Sequence, residues 1–211
     1  MRGRPTPMSL NDLWNDLPDP LRRSYETYIT LLTKWQKSIN LVSPSTISDA
    51  RDRHILDSYQ LVQYIPSTVK TIYDLGSGAG FPAMVIAAAR PDISVSCLES
   101  DGRKCEFLRT ISREINIPVT IHMGRIESNH ALPPPDMITA RALASVKILI
   151  EWARPWWTQN PSLEMLLPKG ESWADEVSEA RGAFDFTIAD YPSLTDPRAR
   201  ILNISDIRPV S

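Results

Sequence analysis

From residue 71 the chain reads Thr71-Ile72-Tyr73-Asp74-Leu75-Gly76-Ser77-Gly78-Ala79-Gly80-Phe81-Pro82. Thr71 to Leu75 has the β-branched and aromatic content of a short strand, and Pro82 suits the first position of a helix. Glycines between a strand and a helix let the backbone come close to a ligand, because a residue without Cβ leaves that space open. In an α/β sheet such a loop lies beyond the carboxyl ends of the strands, where ligands bind. Asp74 stands at the start of the loop. Glu99, 19 residues after Gly80, closes the next apolar run.

Two kinds of cofactor compete for this loop. The dinucleotide fingerprint is G-x-G-x-x-G. Here the third glycine follows after one residue, and Phe81 stands where that fingerprint needs glycine. A pyrophosphate would lose its cradle at the helix end. S-adenosylmethionine has no phosphate. It needs backbone approach to its amino-acid and ribose parts, and carboxylates for its ammonium and hydroxyls. Glu99 is placed to accept both ribose hydroxyls. The loop therefore reads as an S-adenosylmethionine site built on Asp74, Gly76, Gly78, Gly80 and Glu99. A purely structural turn, and a solvated strand-end acid at Glu99, are the alternatives.

The elements around the loop follow from periodicity. Residues 9 to about 66 read as helical. Leu21, Tyr25, Tyr28, Leu32, Trp35 and Ile39 recur at helical steps behind Pro20. A second helix is expected over Ser48–Tyr64, with Ile55, Leu56, Tyr59 and Val62 inward. Strands are expected at Thr71–Leu75, Ser94–Leu98, Val119–His122, Met137–Ala140, Leu163–Leu167, Phe184–Ala189 and Arg200–Ile204. Helices are expected at Pro82–Ala89, Gly102–Asn116, Ser145–Trp157 and Trp173–Arg181. Strands separated by helices imply a parallel sheet wound on both faces. The last two strands have only a loop between them and are expected to pair antiparallel. The expected fold is α/β, a doubly wound, Rossmann-like methyltransferase sheet with one antiparallel edge strand. The expected domains are a helical extension, 1–66, packed on the core, and a cofactor-binding domain, 67–211.

Composition excludes several classes. No apolar run is long enough to span a membrane, and Met1 to Met8 lacks the apolar stretch of a signal peptide, so a cytoplasmic protein is expected. A net charge of −2 does not mark a nucleic-acid binder and allows only a local basic surface. Cys97 and Cys105 read as reduced small hydrophobes, and no metal site is expected.

Further motifs resemble a known family, the bacterial glucose-inhibited-division-B family of small-subunit (16S) ribosomal RNA guanine-N7 methyltransferases. The matching segments are Asn40-Leu41-Val42-Ser43, Arg53-His54-Ile55-Leu56-Asp57-Ser58, Asp74 through Pro82, Gly124-Arg125-Ile126-Glu127, Arg141-Ala142-Leu143-Ala144 and Pro168-Lys169-Gly170. The Arg53–Ser58 block is the most specific, because general methyltransferases lack it. The resemblance implies S-adenosylmethionine as cofactor, and ribosomal RNA or the small ribosomal subunit as partner. The protein is expected to be a monomer.

Cofactor contacts carry over onto Gly76, Phe81, Ile126, Glu127 and Arg141. Phe81 would wall the pocket. Ile126 and Glu127 would meet the adenine, with core packing the alternative for Ile126. Arg141 would hold the methionine carboxylate or an RNA phosphate, with a surface ion pair as the alternative. Arg141, Lys169 and His54 are the candidates for RNA contact. A packing histidine and a solvated lysine are the alternatives for the last two, and Asp57 is expected to cap or to pair with Arg53. Arg103, Lys104, Arg109 and Arg113 alternate with acids, which reads as an ion-paired or an RNA-facing helix.

The sequence departs from the family pattern at Ala83, Glu99 and Leu143. No catalytic side chain is expected, because guanine N7 has no proton to lose. A methyltransferase acting on another substrate and a non-catalytic, cofactor-binding ribosome regulator are the rival readings.

Overall fold

The computed structural model describes residues 9–210. Its strands are β1 (Thr71–Leu75), β2 (Ser94–Glu99), β3 (Val119–Met123), β4 (Met137–Thr139), β5 (Glu164–Lys169), β6 (Phe184–Pro192) and β7 (Arg200–Pro209). They form one sheet in the order β3-β2-β1-β4-β5-β7-β6. Strands β1 to β5 pair in parallel. β7 runs antiparallel to β5 and β6, which gives the expected reversed strand on this side of the sheet, with β6 outermost. The expectations for Met1–Met8, and the outermost ends of the two expected domains, lie outside the described residues.

The helices are α1 (Leu10–Asn15), α2 (Asp19–Gln36), α3 (Asp57–Tyr59), α4 (Ala83–Ala89), α5 (Gly102–Glu114), α6 (Val146–Trp157) and α7 (Trp173–Arg181). Ser9 and Asp12 close a capping box on α1, and Asp101 caps α5 through the Arg103 and Lys104 amides. The second helix of the extension does not form as one piece. A π-wound turn at Arg51–Leu56 runs into α3 and then into a 3-10 turn at Gln60–Tyr64. The wider winding buries His54, Ile55 and Leu56 in succession, which a 3.6-residue period does not anticipate. Tyr59 and Val62 are only partly buried.

One apolar layer joins α2 and the 51–65 segment to α4, α5 and one face of the sheet. A second layer packs α6 and α7 against the other face. No helix of the described residues is long and apolar enough to cross a membrane.

The strand order decides where a ligand can enter. From β1 the chain adds β2 and β3 on one side, then returns to place β4 on the other. The crevice at such a reversal, beyond the carboxyl ends of the strands, is the natural site in an open α/β sheet. The glycine loop after β1 and the segment 140–145 after β4 both open there.

Candidate active site

Gly76, Gly78 and Gly80 all have left-handed backbones, at φ 59°, 56° and 88°, yet they do different work. A Cβ on Gly78 would meet only the Gly76 carbonyl oxygen, at 3.8 Å, so this part of the loop faces open space. A Cβ on Gly80 would strike Met84 at 2.5 Å and the Tyr28 hydroxyl at 2.6 Å. Gly80 is therefore placed in the packing under the loop, not in the cavity wall. Gly76 lines the cavity and lies against Leu143.

Helix α2 supports this loop. The Tyr28 hydroxyl donates to the Ala79 carbonyl, and the Tyr28 ring stacks on Phe81 at 5.0 Å. Tyr25 donates to the Val85 carbonyl at 2.9 Å. Phe81 is buried yet lines the cavity, as expected of a wall residue. His54 stacks on it at 5.2 Å, and the Arg141 guanidinium lies 5.0 Å from its centre.

The cavity has a volume of about 910 Å³, the size of a small-molecule pocket with room to spare. Gly76, Gly78 and Glu99 border one part of it, and Arg53, Asp57, Thr195 and Arg200 border another. Glu99 is buried at the end of β2. Its Oε2 accepts the Gly78 N–H at 2.7 Å, and its Oε1 accepts the Asp101 N–H at 2.8 Å. Each oxygen retains a lone pair for a ligand hydroxyl. Asp74 lies fully buried beneath the loop. Its Oδ1 accepts the Thr139 hydroxyl at 2.6 Å, and its Oδ2 has no protein partner. Burial raises its pKa to about 6.

Arg141 ties the loop after β4 to the 53–57 segment. It donates to the Arg53 carbonyl, to Asp57 Oδ2 and to His54 Nδ1, each at 3.2 Å. Asp57 therefore pairs with Arg141 rather than with Arg53, because Asp57 faces the loop after β4 while Arg53 is exposed. Asp57 also accepts the Thr195 hydroxyl and the Gln60 amide. Gln60 in turn accepts the Leu194 N–H. One carboxylate thus ties the extension to the loops after β4 and β6. The sequence carried no signal for the 193–200 loop, since its contacts run through partners more than a hundred residues away.

His54 is 6% exposed and packed against Phe81, yet it also lines the cavity. Burial first, and the Arg141 charge next, hold its pKa down at about 4. Lys169 lies in the cavity wall but is not solvated. Its Nζ donates to the Ala144 carbonyl at 2.5 Å and pairs with Glu176 at 2.8 Å. Glu176 also accepts the Val146 N–H, so the ion pair fixes the loop on both sides of Ser145. With that charge neutralised, the expected phosphate contact has no free cation at Lys169.

Ile126 packs in the core near Leu75 and Leu98, and Glu127 is exposed. Neither lines the cavity. On α5, Glu106 pairs with Arg109 and Glu114 with Arg113, which is the ion-paired reading. Cys97 and Cys105 are buried free thiols.

A doubly wound sheet with an open glycine loop at its reversal point, and a carboxylate on the neighbouring strand end, defines the fold of S-adenosylmethionine-dependent methyltransferases. Solved structures share it. The cofactor-bound Rv0187 protein from MTB superposes with a TM-score of 0.63 at 15% identity, over 97% of this chain and 99% of that one. An O-methyltransferase from Bacillus cereus in complex with SAH gives 0.59 at 13% identity, over 93% and 94%. At such identities the likeness speaks for the fold alone.

The chain belongs to the rRNA small subunit methyltransferase G family, whose model matches residues 22–198. It is 42% identical to the ribosomal RNA small subunit methyltransferase G of Rhodospirillum centenum, over 86% of this chain and 82% of that protein. Its identity to the protein of the same description from Gluconobacter oxydans is 44%, over 88% and 93%. The open side of Gly78 and the spare acceptor sites of Glu99, both in the cavity wall, fit the cofactor of that fold.

Proposed function

We propose that this protein transfers a methyl group from S-adenosylmethionine to N7 of a specific guanine in small-subunit ribosomal RNA. Family membership supports the cofactor and the substrate. The observation that carries the choice of acceptor atom is the state of the acid–base groups in the cavity. Both His54 nitrogens are engaged, with Thr46 and Arg141. Asp57 serves Arg141, Glu99 serves two backbone amides, Glu176 serves Lys169, and Asp196 pairs with Arg198. Among the described residues, each of these groups in the cavity wall is therefore already held by a hydrogen-bond or ion-pair partner. An acceptor with a lone pair and no proton fits such a site, and guanine N7 is one.

When bound, the cofactor supplies an electrophilic methyl on a sulfonium. The chain's own part is positioning and exclusion of water. Gly76 and Gly78 admit the cofactor, and Glu99 orients its ribose. Phe81, held between α2 and the 51–56 turn, closes the wall. The guanine ring gains positive charge as it is methylated, so a bare cation over it would raise the barrier. Asp57 and Glu176 neutralise Arg141 and Lys169, the cations set deepest in the cavity wall. The cofactor contacts at Asp74, Gly76, Gly78, Phe81, Glu99 and Arg141 belong to this reading. So do a helical extension over residues 1–66, a monomeric state and a cytoplasmic location. N7 lies on the major-groove edge, which A-form RNA buries, so the acceptor is looped, bulged or flipped out.

The test is RNA carrying 7-deazaguanine at the acceptor nucleotide, located by mapping the modification. That RNA should bind and accept no methyl group. Methylation of the 7-deaza nucleotide would show that the acceptor is another atom. Binding of unmodified RNA without any single-turnover transfer would mark the protein as a non-catalytic regulator.

A further inference from the structure

Five cationic side chains line the cavity: Arg53, Lys104, Arg141, Lys169 and Arg200. Three carry an ion pair, Arg141 with Asp57 at 3.2 Å, Lys169 with Glu176 at 2.8 Å and Arg200 with Asp190 at 3.4 Å. Arg53 and Lys104 have no such partner among the described residues. Asp196 lies in the field of Arg53 but pairs with Arg198. Asp101 lies near Lys104 but is spent on the first amides of α5. We infer that Arg53 and Lys104 are the phosphate-binding residues of this enzyme, holding the RNA backbone on either side of the acceptor nucleotide. The inference rests on RNA being the methyl acceptor.

The placement favours this role over packing. Arg53 is exposed, and its own carbonyl is held by Arg141, so its backbone is fixed while its side chain is free. It stands on the turn that leads into Asp57, and Lys104 stands in the first turn of α5, just after the strand that ends at Glu99; both line the cavity. A free cation gains more from a phosphate than one that must first give up a carboxylate. Phosphate contacts position a nucleic acid without reading its sequence. The division therefore puts bare positive charge where the backbone passes and keeps it away from the ring that becomes cationic.

Binding through phosphates releases counterions, so the logarithm of affinity falls with the logarithm of salt by roughly 0.7 per contact for a single strand and 0.9 for a duplex. Affinity for small-subunit ribosomal RNA, and for small subunits from a strain lacking the enzyme, would be measured from low to moderate KCl. The proteins compared would be the wild type, Arg53→Gln, Lys104→Gln and the double variant, with calorimetry of S-adenosylmethionine binding alongside. Each single variant should make the slope shallower by roughly 0.7–0.9, and the double variant by their sum. Arg53→Lys should restore the slope, and Arg109→Gln, on the ion-paired part of α5, should not alter it. Cofactor affinity should hold in all of them. Unchanged slopes would overturn the inference, and loss of cofactor binding in Lys104→Gln would reassign that residue to the cofactor. A wild-type protein that methylates neither RNA would overturn the functional reading itself, a result visible before any variant is made.

Discussion

Arg141 donates to Nδ1 of His54 at 3.2 Å, and this fixes the state of the imidazole. The Thr46 hydroxyl sends its single proton to the Ser43 carbonyl at 2.7 Å, so it can only accept from His54 Nε2, 2.9 Å away. The ring is thus neutral, with its proton on Nε2 and a bare Nδ1 for the guanidinium. A charged imidazole would face Arg141 with no lone pair to offer.

This has a pH signature. The native pKa of His54 is about 4, against roughly 6.5 unfolded. Between those values the unfolded chain takes a proton that the native one refuses, so stability falls as pH falls, by at most about 1.4 kcal/mol per unit. Asp74 acts in the opposite sense. Its native pKa is about 6, so its contribution is present at low pH and is lost as pH rises towards 6. The two should nearly cancel between pH 4 and 6. Urea unfolding of Asp74→Asn should uncover the His54 slope in that window. A His54 proton resonance titrating near 6.5 would contradict the assignment.

Glu99 should matter to both cofactor and fold. Glu99→Ala should weaken S-adenosylmethionine binding by about 1–3 kcal/mol. It should also lower the melting temperature, because the Gly78 and Asp101 amides lose their acceptor. Glu99→Gln keeps one acceptor oxygen and should lie between. A melting loss with unchanged calorimetric affinity would leave Glu99 with a structural role only.

Gly78 and Gly80 should separate. At Gly78 a side chain enters open space, so Gly78→Val should abolish cofactor binding while costing the free protein about 1–2 kcal/mol of left-handed strain. At Gly80 the same strain is joined by a clash with Met84, Tyr28 and Leu108, so Gly80→Ala should cost about 1–3 kcal/mol more. Chemical denaturation ranks the two, and equal destabilisation would refute the distinction.

Lys169 should behave as half of an ion pair. Lys169→Met leaves Glu176 uncompensated and should cost about 3–5 kcal/mol, nearer the lower figure because Glu176 keeps some solvent contact. Adding Glu176→Gln removes the stranded charge and keeps an acceptor for the Val146 amide, so the double variant should recover part of the loss. Simple additivity in the denaturation midpoints would rule out the pairing.

The local parts of this protein were legible in its residues. A β-branched strand, glycines at spacing two, a proline at the helix start and an acid closing the next strand are short-range patterns. They placed β1, the loop and Glu99 correctly. The period of α2 likewise marked Tyr25, Tyr28 and Leu32 as buried. What the sequence did not contain was the choice among partners. Asp57 had Arg53 one turn away, yet its ion pair is with Arg141, 84 residues on. Lys169 looked like a free cation beside a glycine until α7 brought Glu176 to it, and Gly80 looked like Gly78 until α2 put Tyr28 under it. Ile126 is 9% exposed and belongs to the apolar layer under α6 and α7, a burial its place after β3 did not announce. The fold follows from periodicity, which a chain carries in its neighbours. Which charge stays free and which glycine stays open depend on what the reversal of the strand order brings together, and only the folded chain decides that.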